Sequence, residues 1–304
     1  MIAKTIHRCA KGLLPPKLGV FFQHPPRPLS ATSISHIPAL PTPVPSISIV
    51  TPSFKQGHFI ARTIDSILNQ NYPNLEYIVQ DGLSPDNTVE VIKSYGDRIN
   101  AWESVKDKGQ SDALNIAFAK THGDIMGYLN SDDLLMPGSL ATVADFFSRN
   151  PTIDAVYGHR HIIDENDNEI GRWIMPPHDP KVLAYADFIP QETLFWRRSI
   201  WEKAGGMIDA KFRFAMDWDL ILRIQAAGGK FERLPFLLGA FRIHSAGKTT
   251  SLINEVGNKE MDFLRERTLG YLPDHVEIRR EMRPYMMKAT VLHHLHHLHH
   301  RHRH

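Results

Sequence analysis

Cysteine is almost missing from this chain. Cys9 is the single one in 304 residues, which excludes an internal disulfide and any zinc site built on thiolates. A reducing compartment is compatible with that scarcity. No apolar run approaches the roughly 18 residues a membrane-spanning helix needs, so the expectation is a cytoplasmic protein, or one peripheral on the inner face of a membrane. An excess of one charge is missing too. Thirty-five Lys and Arg stand against 33 Asp and Glu, net +2, so no strong basic field argues for nucleic acid. Three phosphate and nucleophile signatures are also absent. There is no G-x-G-x-x-G after the first strand, no G-x-x-x-x-G-K-[ST] and no G-x-S-x-G, which removes the dinucleotide, P-loop and common hydrolase readings.

What is present is ordinary globular composition, 42% hydrophobic and 22% charged, enough for a sizeable core. The first 45 residues differ from the rest. They hold nine of the 21 prolines, and no acid occurs before Asp65. Ile2, Ile6, Cys9 and Leu13 recur at helical spacing with Lys4, Arg8 and Lys11 between them, the pattern of a basic amphipathic helix on an anionic membrane. A Pro-rich disordered leader reads the same composition more simply, because one short basic helix binds lipid only marginally. A transit peptide is a third reading.

The regular pattern starts at Ser46. Ile47, Ile49 and Val50 predict a strand ending at Thr51-Pro52-Ser53. Ile60, Ile64, Ile67 and Leu68 predict one helix face. Leu75 to Val79 predicts a second strand, ending in Gln80-Asp81-Gly82-Leu83-Ser84. Asn87 and Glu90 suggest a capping box. Ile99 to Trp102 follows as a strand, then a helix carrying Leu114, Ala117 and Phe118. The fourth strand, Ile125 to Leu129, runs straight into Asn130-Ser131-Asp132-Asp133. A helix with Leu140, Val143, Ala144 and Phe147 comes next. Four alternations of strand and helix with short loops predict an α/β fold, a mostly parallel sheet covered by helices on both sides. Each polar cluster falls at a strand's C-terminal end, where ligands bind in such sheets. Two adjacent carboxylates there repel unless a cation lies beside them, and Mg²⁺ or Mn²⁺ suits few carboxylates plus substrate phosphates.

Beyond Asn150 the alternation loosens. Ala155 to Tyr157, Ile170 to Met175 and Thr193 to Trp196 look like strands, and Ser199 with Glu202 suggests another capping box. Asp217 falls in the first turn of a helix, where the dipole favours negative charge, and Asp219 can pair with Arg223. Phe231 to Ile243 is strand-rich and ends at His244. Helix follows from about Leu252, with Met261, Leu264 and Leu269 apolar, and the chain closes on a His-rich tract that resembles metal-binding low-complexity sequence but reads more simply as a disordered terminus.

In their order, Ser48-Ile49-Val50-Thr51-Pro52-Ser53-Phe54, Gln80-Asp81-Gly82-Leu83-Ser84-Pro85-Asp86, Asp107-Lys108-Gly109-Gln110-Ser111-Asp112-Ala113-Leu114-Asn115, Leu129-Asn130-Ser131-Asp132-Asp133, Met216-Asp217-Trp218-Asp219-Leu220 and Phe241-Arg242-Ile243-His244 resemble glycosyltransferase family 2. That resemblance implies a GT-A type nucleotide-sugar fold and inverting, metal-dependent sugar transfer in polysaccharide or glycoconjugate assembly. It implies a catalytic domain over 46–250, divided into a donor half (46–135) and an acceptor half (136–250). A leader (1–45) and a helical extension (251–304) flank it. By the same resemblance Thr51 and Pro52 line the nucleotide pocket and Asp81 contacts the base, usually uracil. Asp112 and Asn115 shape the ribose and diphosphate side, and Asp132 is the ribose-side acid. Asp133 holds Mg²⁺ or Mn²⁺ on the diphosphate with His244 nearby, and Asp217 is the base. Apart from the resemblance, Lys248 could add positive charge at the departing diphosphate.

Two positions depart from the family pattern: Gln80 stands where Asp or Asn is usual, and Met216 where Glu is usual. No Q-x-x-R-W is present, which points to one sugar per cycle rather than processive synthesis. The implied partners are a nucleoside-diphosphate sugar, UDP-type first, and a saccharide or lipid-linked saccharide. Loops between about His159 and Gln191 are expected to shape acceptor choice. Two other readings stand beside this one. A sugar-nucleotide pyrophosphorylase would want a more basic, Gly-rich loop than Pro52-Ser53-Phe54-Lys55-Gln56-Gly57. A non-catalytic nucleotide-sugar binder would not need Asp132, Asp133, Asp217 and His244 together.

Overall fold

The computed structural model describes residues 17–30, 34, 37–245, 247 and 256–301, with side chains to residue 296. The basic helical pattern at Ile2 to Leu13, Lys248 and the last three residues of the His-rich tract lie outside that range.

Parallel strands β2 (Ile47–Ser53), β3 (Leu75–Asp81), β4 (Ala101–Ser104) and β5 (Ile125–Tyr128) lie in the order β5-β2-β3-β4. Period-two alternation sorts their side chains to opposite faces. Ile49, Tyr77 and Val79 enter one core with α1 (Ile60–Leu68) and α4 (Ser139–Arg149). Val50, Ile78 and Met126 enter another with α3 (Gln110–Phe118). The predicted faces of these helices are the buried ones: Ile60, Ile64 and Ile67, then Leu114, Ala117 and Phe118, then Leu140, Val143, Ala144 and Phe147. Ser53, Asp81 and Ser104 are register partners, so the strands end level and their polar residues share one edge.

Beyond β5 the sheet turns antiparallel. Strand β9 (Phe195–Arg197) pairs with β5 and with the start of β7 (Ala155–Ile163). The far end of β7 forms a hairpin with β8 (Asn168–Trp173), and β10 (Phe231–Arg242) runs parallel along its other side. A two-residue strand, β6 (Leu134–Leu135), pairs with the end of β10. Much of the segment expected to be acceptor loops, 159–173, is therefore sheet.

Local expectations give way where tertiary bonds compete. The third strand starts at Ala101 instead of Ile99, because Asn100 is tied to Tyr77 through both backbone and side chain. In α2 (Thr88–Ser94) the Asn87 capping box does not form; Asp86 bonds the Thr88 N–H and hydroxyl instead. After the short α5 (Pro180–Leu183), helix α6 (Arg198–Lys203) opens at Arg198, not Ser199, since the amides of Arg197 and Arg198 are bound to Asp154 and Asp124.

Residues 17–30, part of the Pro-rich leader, are packed. The Gln23 amide spans to Arg172, β1 (Arg27–Pro28) pairs with β8, and Arg27 pairs with buried Glu169. At the other end, α8 (Asn258–Leu269) and α9 (His275–Arg301) put Leu264, Tyr285 and Ala289 into the same core as Met216 and Trp218. Part of the His-rich tract belongs to α9, where His293 is buried and the His296 ring meets that of His159. No helix among the described residues is long and apolar enough to cross a membrane.

Candidate functional site

A cavity of about 700 Å³ opens at the C-terminal edge of the parallel strands, within the usual size of a ligand pocket. Pro52 to Phe54 from β2 and Gly82 from β3 form one wall. The loop Lys106 to Gly109 and the first turn of α3 form a second. Asn130 to Asp133 lie between, and Phe241 to His244 close the far side. A smaller hollow of about 370 Å³ lies between α4 and the start of β10 and is lined by none of the residues singled out from the sequence.

The β3 end is fixed by Asp81. Its carboxylate is fully buried and accepts from the Ser84 N–H (2.9 Å), the Ser84 hydroxyl (2.5 Å) and the Ser104 hydroxyl (2.6 Å). Asp81 thus sits behind the wall and holds the loop whose Gly82 faces the cavity. A Cβ on Gly82 would fall 2.6 Å from Asp107 Oδ2, so a side chain here would displace the Asp107 carboxylate from its place against the Gly109 N–H. Gly109 enters α3 at φ +114, a conformation glycine alone adopts readily. The Asp107 and Asp112 carboxylates accept the N–H groups of Gly109 and Lys108 at 2.8 and 2.9 Å.

Asp133 is 1% exposed. Its Oδ1 accepts the backbone N–H of Arg242 at 3.0 Å, and its Oδ2 a longer bond from Asn130 at 3.3 Å. Burial, then the adjacent Asp132, then Glu192, push its carboxyl well above the usual range, against the pull of the Arg242 N–H. Asp132 Oδ2 meets His244 Nε2 at 2.9 Å, and the Arg242 guanidinium donates to the Asp132 carbonyl at 2.7 Å. The end of β10 is therefore stapled to the acid pair across more than a hundred residues of chain.

Among the described residues no group of three or more His, Cys, Asp or Glu side chains is placed to hold a metal alone. The residues present still fit a hard divalent ion of the kind that takes one or two carboxylates and completes its shell with water and substrate phosphate. A buried carboxylate with a raised pKa beside a second carboxylate is a pair whose mutual repulsion a cation relieves.

The expected residues do not all reach the cavity. Pro52, Asp112, Asp132, Asp133 and His244 line it. Thr51 is buried behind it, its hydroxyl accepting from Tyr77 at 3.1 Å. Asn115 grips the backbone of Ile208 with both ends of its amide, at 2.8 Å each, so it bears on the site only through the loop that carries Ala210, Phe212 and Arg213 to the cavity rim.

That loop leads into α7 (Met216–Ala226), where Asp217 is half-buried in the first turn with Oδ1 accepting the Trp218 N–H at 2.9 Å. Asp217 does not line the cavity, but the residue before it is tied to the cavity wall. The Ser111 hydroxyl, on the wall, lies 2.9 Å from the Phe212 carbonyl and 3.0 Å from the Met216 sulfur. Tyr128, on β5, is buried. Burial first, and then the charges of Asp217, Asp187, Asp133 and Glu192, push its phenol well up. The acid at the head of α7 and the acid at the end of β5 thus act on one phenol.

Four features here had no sequence signal. Gln191 bridges the halves: its amide donates to the Tyr128 carbonyl (2.8 Å), and its oxygen accepts from Asn130 (3.1 Å). Its neighbour Glu192 is buried in a two-pronged pair with Arg160, whose guanidinium lies between the Trp173 and Phe241 rings. Glu260, in α8, accepts the N–H groups of Arg213, Phe214 and Ala215 at 2.9 Å each, fixing the backbone that leads into α7 and its N-cap residue Ala215. Asp187 is the fourth. It is solvent-exposed, and the protein around it, and next the charge of Asp217, raise its carboxyl well above the usual range. Its loop is held near α7 by the Trp218 indole on the Leu183 carbonyl and by Arg265 on the Tyr185 carbonyl.

The Asp187 shift carries a sign. A carboxyl raised by folding stabilises the native state below the ordinary Asp range and loses that contribution as pH climbs through the raised value. Asp187→Asn removes the penalty. The variant should melt roughly 1–3 °C above the parent near pH 8 and level with it near pH 4, the gap kept small by solvent screening. Melting curves at the two pH values measure it; an equal offset at both would assign the change to packing.

Comparison with known proteins gives the family and the fold. The family described as "Glycosyl transferase family 2" matches residues 48–208. Chondroitin synthase of Pasteurella multocida is 28% identical over 257 residues, 81% of this chain but 26% of that enzyme, so the chain spans about a quarter of that relative's length. Among solved structures, S. aureus TarS 1-349 in complex with UDP-GlcNAc superposes with a TM-score of 0.63 at 14% identity, over 80% of this chain and 72% of that one. The mannosyltransferase PcManGT from Pyrobaculum calidifontis, in complex with GDP-Man and Mn²⁺, gives 0.58 at 19% identity, over 82% and 70%.

Proposed function

The chain belongs to glycosyl transferase family 2, is a glycosyltransferase with the GT-A type of fold, and we propose that it transfers one sugar at a time, with inversion, from a nucleoside-diphosphate sugar to a hydroxyl of a saccharide or lipid-linked saccharide. The observation that carries this is the placing of Asp132 and Asp133 on a 700 Å³ cavity whose wall is tied, through Ser111, to Met216, the residue before Asp217.

The donor occupies the cavity. Pro52 and Gly82 flank the base, with Asp81 acting through the loop it ties. Asp112 and Asp132 face the ribose, and Lys106, Lys108 and Arg213 on the walls bring positive charge to the diphosphate. Asp133, with Asp132 and His244 beside it, would hold Mg²⁺ or Mn²⁺. That ion would supply Lewis-acid stabilisation of the departing diphosphate. A UDP-type donor is the first choice; TarS in complex with UDP-GlcNAc supports it, while PcManGT in complex with GDP-Man keeps the base open.

An acceptor hydroxyl is a poor nucleophile at neutral pH. The Asp217 carboxylate takes its proton as the oxygen attacks the anomeric carbon; the base then stands opposite the diphosphate, so the configuration inverts. Such assistance is worth about 10²–10⁴-fold. The acceptor would sit on the side of Asp217 and Asp187. Glu260 of α8, which lies outside the 46–250 catalytic segment, would then bear on that side through the backbone it holds ahead of α7.

A panel of UDP- and GDP-sugars with Mn²⁺ or Mg²⁺ tests the reading. One donor should raise the melting temperature and release nucleoside diphosphate, and EDTA should abolish the release. If no nucleotide sugar stabilises the protein with either ion present, the donor site is wrongly assigned.

A further inference from the structure

Helix α9 buries one face and leaves the other bare. Tyr285, Ala289 and His293 point into the core. On the opposite side Val276, Met287, Val291 and Leu295 are 67%, 50%, 55% and 53% exposed. The remaining exposed positions between Val276 and Leu295 are Arg279, Arg280, Arg283, Lys288 and Pro284. These residues recur at steps of three and four and form one stripe, about 30 Å long at 1.5 Å per residue. Four cations and four aliphatic side chains share it, and no acid does. The two acids of this stretch face inward or sideways: Glu277 meets Tyr185 and Tyr271, and Glu281 meets Lys181 and Arg280. Tyr271 and Leu272 are exposed in the turn before α9, where exposed Asp274 accepts the Val276 and Glu277 N–H groups and bounds the stripe.

We propose that this stripe seats the protein on an anionic phospholipid surface, the apolar side chains entering the headgroup boundary and the cations meeting lipid phosphates. A helix with cations flanking an exposed apolar row is built for the plane of a membrane interface. Other occupants fit the charge less well. In an isologous dimer the stripe would face itself and set Arg279, Arg280, Arg283 and Lys288 against like charges. Residues 1–16 carry Lys4, Arg8 and Lys11 and no acid, so they offer nothing to these cations. A nucleic acid would satisfy the cations but leave four aliphatic side chains in water. The inference does not rest on the proposed transfer reaction, since lipid binding needs neither donor nor acceptor.

The test is co-sedimentation of the full chain with vesicles of phosphatidylcholine alone, or of phosphatidylcholine and phosphatidylglycerol in equal parts. Binding should occur to the anionic vesicles only and weaken as salt is raised. Each cation near such a surface is worth about five-fold in partitioning, so the triple change Arg279→Gln, Arg280→Gln, Arg283→Gln should weaken it about 100-fold. Met287→Ser with Val291→Ser should also weaken it, with an unchanged melting temperature because both positions are exposed. No binding to anionic vesicles overturns the proposal. So does binding that persists undiminished in both variants, which would move the contact elsewhere on the chain. Light scattering that finds a dimer dissolved by the same substitutions overturns it as well, by giving the stripe to a second copy.

Discussion

Asp217→Asn should lower transfer by about 10²–10⁴-fold and leave donor affinity unchanged. The amide oxygen can still accept the Trp218 N–H that Asp217 Oδ1 accepts now, and the head of α7 is held independently by Glu260 and by Ser111. The fold and the donor cavity should therefore survive, and the loss should appear in kcat, as expected for an interaction made only in the transition state. Single-turnover kinetics with donor binding measured separately reads this directly. A variant that keeps near-normal transfer would remove Asp217 from the role of base and direct attention to Asp187, the carboxyl whose charge acts on it.

The second large effect belongs to Asp133. Asp133→Asn should cut transfer at saturating Mn²⁺ by about 100-fold or more, since a metal at a departing diphosphate supplies several kcal/mol. Ion-dependent stabilisation by donor should disappear as well. The two variants then differ in kind: Asp217→Asn keeps metal-dependent donor binding and loses chemistry, whereas Asp133→Asn loses both. Melting of the metal-free Asp133→Asn protein should not fall. The amide oxygen can still accept the Arg242 N–H, and removing a buried carboxyl crowded by Asp132 and Glu192 offsets the loss of its long bond from Asn130. If donor still stabilises this variant in the presence of Mn²⁺ as it does the parent, the ion is held elsewhere.

Glu260 illustrates why the site was only partly legible in the sequence. Nothing in its local pattern distinguishes it from any acid in the first turn of a surface helix. Its meaning comes from three N–H groups 45 to 47 residues away. Gln191 and Arg160 are similar, being polar residues whose partners are chosen by the packing of β5, β7 and β10 rather than by neighbours in the chain. Asn115 shows the converse. Its position in a recognisable segment suggested the cavity, yet its amide is spent on Ile208.

The periodicities that mark the strands and the faces of α1, α3 and α4 act over a few residues, and each needs only that apolar side chains leave water on one side. Those elements, their alternation, and the placing of Asp81, Asp132 and Asp133 at strand ends were accordingly determined by the sequence alone. Which strand lies beside which beyond β5, how β10 returns to staple the acid pair, and how α8 sets the head of α7 were decided only in the folded molecule. Those contacts join residues tens to more than a hundred positions apart, and their energies depend on every element packed between them.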